Sequence, residues 1–246
     1  MKTFNDHFSR IAQGYAAYRP HYPAELFSYL AGLCTRHECA VDCGTGNGQA
    51  AAGLAKHFSE VVALDPSAEQ IAAASTLERV RFVVAPAERR PVEDGSAQLI
   101  TAAAAAHWFQ HDAFHAEARR VLEPGGVVAL WTYWNAQVSP AVDAVLERFQ
   151  FTVVGPYWPP ERRYVNEGYR KIPFPFEDIS APAMDVRMRC TLEHFIGYLG
   201  TWSAVQRYRM EHGTDPVDLV RHDLRSAWGE DEREVRWPLA MRIGRR

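Results

Sequence analysis

The sequence predicts an α/β domain built on a doubly wound, mostly parallel seven-stranded sheet with a cap insertion. From about Cys39 to Tyr133, short apolar runs alternate with helix-like stretches, the pattern of βαβ units. A glycine-rich turn follows the first of these runs, where such sheets bind ligands. Beyond Ser139 the rhythm changes, and Gly155–Phe176 is rich in proline, aromatics and arginine. A chain of 246 residues is long enough to bury all of this in one domain.

Five strands are expected in the first half: Ala40–Cys43, Val61–Leu64, Val80–Val84, Ala97–Ala102 and Val127–Tyr133. They are short and apolar because a parallel strand is covered on both faces. Gln49–His57, Ala68–Leu77 with Ser67 as its cap, and Asp112–Leu122 read as the intervening helices. Pro124-Gly125-Gly126 is expected to break the chain before the fifth strand. Ala141–Phe151 then reads as a helix, Met184–Cys190 as a strand, Leu192–Met210 and Pro216–Trp228 as helices, and Glu234–Ile243 as the last strand.

Composition narrows the function. The chain is 47% hydrophobic and 23% charged, ordinary globular usage, and its 27 Lys+Arg against 30 Asp+Glu give a net charge of -3. That balance lacks the basic excess of a nucleic-acid partner. Cys34, Cys39, Cys43 and Cys190 form neither a CxxC pair nor a Cys/His metal pattern, so free thiols in a reducing cytoplasm are expected. Met1–Arg10 lacks the apolar run of a signal peptide, and no stretch approaches the roughly 18 apolar residues of a membrane span.

The strongest motif is Val41-Asp42-Cys43-Gly44-Thr45-Gly46-Asn47-Gly48, between an expected strand and an expected helix. Its glycines let the backbone approach a ligand closely. The third glycine comes one position too early for the dinucleotide fingerprint, which disfavours a nicotinamide oxidoreductase. Asp42 places a carboxylate beside the loop, suited to a cationic ligand rather than a diphosphate. Asp65 ends the second strand, where an acid can accept both hydroxyls of a ribose; capping of the next helix is its plainer reading.

These features resemble the class I S-adenosylmethionine-dependent methyltransferases, and more closely the small-molecule branch that includes trans-aconitate-type methyltransferases. The resemblance extends to Tyr15-Ala16-Ala17-Tyr18-Arg19-Pro20-His21-Tyr22-Pro23, to Ala87-Glu88, to Ala106-His107-Trp108-Phe109 and to Arg120-Val121-Leu122-Glu123-Pro124-Gly125-Gly126. It implies a Rossmann-like methyltransferase fold and S-adenosyl-L-methionine as cofactor. By the same resemblance Gly44, Thr45 and Gly46 line the methionine part, Asp65 with Pro66 lies at the ribose, and Ala87 with Glu88 reaches adenine. Tyr18 and Arg19 belong to a lid, and Ala103 replaces a common asparagine, leaving only its backbone for contact. Residues 1–38 would then be the N-terminal lid and helix, 39–133 the cofactor-binding half, and 152–182 the acceptor-site insertion.

His107 and Trp108 stand where the methyl group should meet its acceptor, and His107 is either a general base or part of the pocket wall. In the insertion Arg162, Arg163, Arg170 and Lys171 interleave with Tyr157, Trp158, Tyr164 and Tyr169, either a site for an anionic or aromatic acceptor or a solvated basic loop. Arg163 and Tyr164 are taken as acceptor-binding. Thr201-Trp202-Ser203 reads as packing beneath the insertion. His111 and His115 read as surface histidines, and no metal is expected. Two functions follow: methyl transfer to a small molecule, at oxygen, or a catalytically silent cofactor-binding scaffold.

Overall fold

The computed structural model describes residues 17–246. The expectations for Met1–Arg10, and for Tyr15 and Ala16 of the lid, lie outside the described residues. Helix α1 (Ala24–Gly32) leads into β1 (Cys39–Cys43), α2 (Gln49–Leu54), β2 (Glu60–Asp65), α3 (Ala68–Ala73), β3 (Val80–Val84) and β4 (Ala97–Ala103). A 3-10 turn at Ala106–Trp108 precedes α4 (His111–Val121), β5 (Leu122–Tyr133), α5 (Pro140–Arg148) and α6 (Arg162–Asn166). The remainder is β6 (Glu177–Ile179), β7 (Asp185–Cys190), α7 (Leu192–Gly200), α8 (Ser203–His212), α9 (Asp218–Trp228) and β8 (Arg233–Arg245).

The sheet runs β3-β2-β1-β4-β5-β8-β6, with β1 to β5 parallel and β8 antiparallel to both its neighbours. Side chains alternate between its faces. Ala40, Val61, Ala63, Leu99, Val127 and Ala129 meet α1 and α2, while Val41, Val62, Leu64, Ile100, Val128 and Leu130 meet α4. Helices therefore cover both faces, as a doubly wound sheet requires.

Several boundaries depart from the sequence pattern. Helices α2 and α3 are each shorter than expected, ending at Leu54 and Ala73. Pro124-Gly125-Gly126 does not break the chain before the fifth strand; it lies inside β5, beside a register shift at Ala97/Leu99. Gly125, at φ +80°, lets the strand bulge and continue. The expected helix Leu192–Met210 is two helices, because Trp202 is extended, with ψ 135°, and the Thr201 hydroxyl donates to the Tyr198 carbonyl at 2.7 Å. An eighth strand, β6, arises inside the insertion.

The second half of the chain builds its own core. Phe195, Tyr198, Trp202, Trp228 and Trp237 bring α7, α8, α9 and β8 together, and the Trp237 indole donates to the Tyr198 hydroxyl at 3.0 Å. Strand β8 belongs to both parts, pairing through Leu239–Arg245 with β5 and through Arg233–Pro238 with β7. Phe195→Ala in this core is expected to cost about 3–5 kcal/mol, read as a lower midpoint in urea unfolding.

Beneath the carboxyl ends of β1 and β4, Asp42 is fully buried and accepts the hydroxyls of Thr45 at 2.6 Å and Thr101 at 2.7 Å. Burial raises its pKa to about 6, against the lowering effect of the two hydroxyls. The folded chain thus binds this proton more tightly than the unfolded chain, whose value is near 3.9. Its contribution to stability is full below about pH 4 and is lost as pH rises through about 6. Urea unfolding of wild type against Asp42→Asn is expected to shift in the variant's favour by up to about 3 kcal/mol between pH 4 and 7.

Candidate functional site

Strands β1 and β4 are neighbours whose connections run to opposite sides, so a crevice opens at their carboxyl ends. The glycine loop floors it. Gly44 has φ +66°, and a Cβ there would lie 2.5 Å from the Ala105 Cβ, so only glycine allows the loop to press against the segment after β4. The Thr45 N–H donates to the Leu64 carbonyl at 2.9 Å, tying the loop to β2.

Asp65 completes that tie. Its Oδ2 accepts the Gly46 N–H and its Oδ1 the Ser67 N–H, each at 2.9 Å, while the residue still borders the crevice. Ser67 caps α3 through the Gln70 N–H, so the Asp65 carboxylate and the cap act together.

The crevice is a cavity of about 1060 Å³, ample for a nucleoside-sized ligand. Of the sequence-predicted residues, Arg19, Gly44, Thr45, Gly46, Asp65, Pro66, Ala87, Glu88 and Ala103 line it, together with His107, Trp108, Arg163 and Tyr164. Two do not. Asp42 lies beneath the loop, its carboxylate turned to Thr45 and Thr101 rather than to a cationic ligand. Tyr18 packs its ring against Gly197 and edge-on to His194 of α7.

A second pocket of about 80 Å³ opens beside the first and shares Arg19, Ala104, His107, Trp108 and Tyr133 with it. Its other walls include Trp158, Arg162, Tyr198 and Trp202. Arg19 donates to the Thr201 hydroxyl at 2.9 Å and to the Tyr133 hydroxyl, joining the N-terminal segment to α7 and β5. The Arg162 guanidinium lies 4.1 Å from the centre of the Trp158 ring and donates through Nε to Asn166 at 3.0 Å. No carboxylate among the described residues forms an ion pair with it, and burial lowers its pKa to about 10.

The segment after β4 delivers His107 to both pockets. Ala104, at φ +50°, turns the chain out of the sheet while its N–H donates to the Trp131 carbonyl at 2.7 Å. The His107 Nδ1 lies 2.9 Å from the Tyr169 hydroxyl. Burial, with the charges of Arg162 and His111, lowers its pKa to about 3, so the ring is neutral.

Arg162 and Arg163, both singled out in the insertion, face different cavities, because consecutive residues of a helix point about 100° apart. Arg163 stacks on Tyr164 at 4.9 Å along the large cavity, whereas Arg162 enters the small one. Trp202, read as packing, also lines the small pocket. His115 is buried among Phe114, Phe174 and Phe176 rather than on the surface. Among the described residues no group of three or more His, Cys, Asp and Glu side chains is placed to hold a metal, and no helix is long and apolar enough to cross a membrane.

Residues 41–130 match the methyltransferase-domain family. A Dictyostelium discoideum protein named as a methyltransferase is 32% identical over 229 residues, which span 92% of this chain and 87% of the relative. The solved structure of an Anaeromyxobacter dehalogenans protein named as a type II methyltransferase is 45% identical, with a TM-score of 0.87 over 93% of this chain and 98% of that one. A malonyl-acyl-carrier-protein O-methyltransferase of a Marinomonas species is 34% identical over 134 residues, 51% of this chain and 49% of the relative. A glycine loop and a strand-ending carboxylate at the switch point, in a chain with these relatives, identify it as a member of the class I S-adenosylmethionine-dependent methyltransferases.

Proposed function

We propose that this methyltransferase modifies an acidic oxygen of a small molecule, with Arg162 holding the acceptor's negative charge. The observation that carries this reading is the Arg162 guanidinium, enclosed by aromatic rings and with no carboxylate partner among the described residues, in a pocket that joins the large cavity at His107, Trp108 and Tyr133. A guanidinium in such surroundings is well suited to a carboxylate, which it can bind through two parallel hydrogen bonds. The small volume of the pocket favours a compact acceptor. The Marinomonas relative is named for transfer to oxygen, which supports the same atom here, although this chain spans about half of that relative's length.

In this reading Gly44, Thr45 and Gly46 hold the methionine part of the donor, Asp65 with Pro66 the ribose, and Ala87 with Glu88 the adenine. Asp42 acts through Thr45 by fixing the loop from below. When bound, S-adenosylmethionine supplies an electrophilic methyl group on a positively charged sulfur. The chain's own contribution is to bring donor and acceptor into line and to keep water out, effects that reach about 7–11 kcal/mol in well-oriented reactions. Arg19 and Tyr133 stand between the two cavities and shape the passage through which the groups meet. Residues 152–182 supply Arg162 and Trp158, in keeping with an acceptor-site insertion.

Calorimetric titration with S-adenosylhomocysteine is expected to show binding by wild type and a loss of at least about 10-fold in Asp65→Ala, as for a charged hydrogen-bonding group. With a panel of small mono- and dicarboxylic acids and isotopically labelled donor, methyl ester formation is expected. Arg162→Ala should raise KM for the preferred acid by about 10–100-fold with little change in kcat. Cofactor binding without transfer to any acid would favour the scaffold function instead.

A further inference from the structure

Tyr169 is fully buried and holds a backbone conformation, φ +63°, that bulky residues rarely adopt. It follows Gly168, at φ +56°, where a Cβ would lie 2.9 Å from both Ala240 and the Trp134 indole nitrogen. Its N–H donates to the Tyr164 carbonyl at 2.8 Å, closing the turn after α6. This costly geometry seats the ring among the core residues beside Val165 and Ile172 and brings its hydroxyl under His107.

The Tyr169 hydroxyl and the His107 Nδ1 lie 2.9 Å apart, and the direction of the bond follows from the acidity of the two groups. A phenol is a stronger acid than the N–H of a neutral imidazole, and an imidazole nitrogen is a stronger acceptor than a phenol oxygen. Burial raises the Tyr169 pKa far above its ordinary value, so the phenol keeps its proton. The phenol therefore donates that proton to Nδ1. A neutral imidazole that accepts at Nδ1 carries its own proton at Nε2. No hydrogen bond from the described protein reaches Nε2, and the ring borders both cavities.

We infer that Tyr169 is a positioning residue that fixes His107 as a neutral Nε2–H donor facing the acceptor, so that the acceptor must arrive ionised, as an acid rather than an alcohol. This rests on the reading of the Arg162 pocket as the acceptor site. An oxygen of the carboxylate gives a lone pair to the methyl carbon, the carbon–sulfur bond breaks, and its electron pair neutralises the sulfur. No proton is released. An alcohol would have to lose one, and His107 presents no lone pair to take it. The titratable and charged groups around His107 are Arg162 from α6, His111 from α4, Tyr169, and Arg19 and Tyr133 across the small pocket. Arg162 further disfavours a proton on the ring.

Long-range proton–nitrogen NMR of the full chain labelled with 15N-histidine tests the tautomer, His107 being assigned from the signal missing in His107→Gln. Wild type is expected to show a neutral Nε2–H ring from pH 5 to 8, and Tyr169→Phe, which keeps the ring that fills the site, a mixture of tautomers or a titrating ring. A wild-type Nδ1–H ring, or wild-type titration near pH 6–7, would overturn the inference. In kinetics with a small acid, kcat should be flat between pH 6 and 8. His107→Gln, which retains a donor near the position of Nε2, should lose less than about 10-fold, and His107→Ala about 100-fold. Equal loss in both variants with S-adenosylhomocysteine binding intact would favour a base and sink the donor role. If no acid is methylated although S-adenosylhomocysteine binds, the acceptor reading fails, while the NMR result still decides the tautomer.

Discussion

The carboxylate of Asp65 accepts one N–H from the glycine loop after β1 and one from the loop after β2. Two backbone segments that would otherwise hold separate shapes are thereby fixed to a single side chain at the end of a buried strand. The contact of Gly44 with Ala105 does the same for the segment after β4. With all three segments fixed at the carboxyl edge, the cavity has a rigid floor, and the residues that follow, from Ala87 to Tyr133, are placed by the sheet itself. Preorganisation of this kind keeps the cost of ordering out of ligand binding.

Much of this half was legible in the sequence, because a parallel sheet leaves clear marks. Val61–Leu64 and Ala97–Ala102 are apolar runs that only a strand covered on both sides explains. Gly44 and Gly46 announce a tight turn, and Asp65 falls where a strand must end. Asp42 shows the limit. Its position beside the loop was evident, but whether its carboxylate turned up to the cavity or down to Thr45 and Thr101 depended on hydroxyls distant in the chain, Thr101 above all.

The second half was less legible for a related reason. The small pocket gathers Tyr133 from β5, Arg162 from α6, and Tyr198 and Trp202 from around α7, residues that share no local spacing. Periodicity announced helices there but not their phase, so it did not tell which cavity Arg162 and Arg163 each face, nor that Trp202, packed in the core, also borders the small pocket. The break at Thr201–Trp202 depends on a hydroxyl turning back to the Tyr198 carbonyl, a contact invisible to a pattern of apolar residues. Tyr169 was still less accessible, since a strained tyrosine carries no signature beyond the glycine that precedes it.

Strand β8 carries a consequence for how the molecule comes apart. One continuous backbone is hydrogen-bonded to β5 along its later residues and to β7 along its earlier ones, so the ladder of the main sheet and the ladder of the cap are a single covalent rod. Loosening at either end is transmitted to the other, which welds the two cores into one cooperative unit. The walls of the large cavity and of the small pocket thus share a common fate on heating, and the distance between them is held by a strand rather than by a hinge.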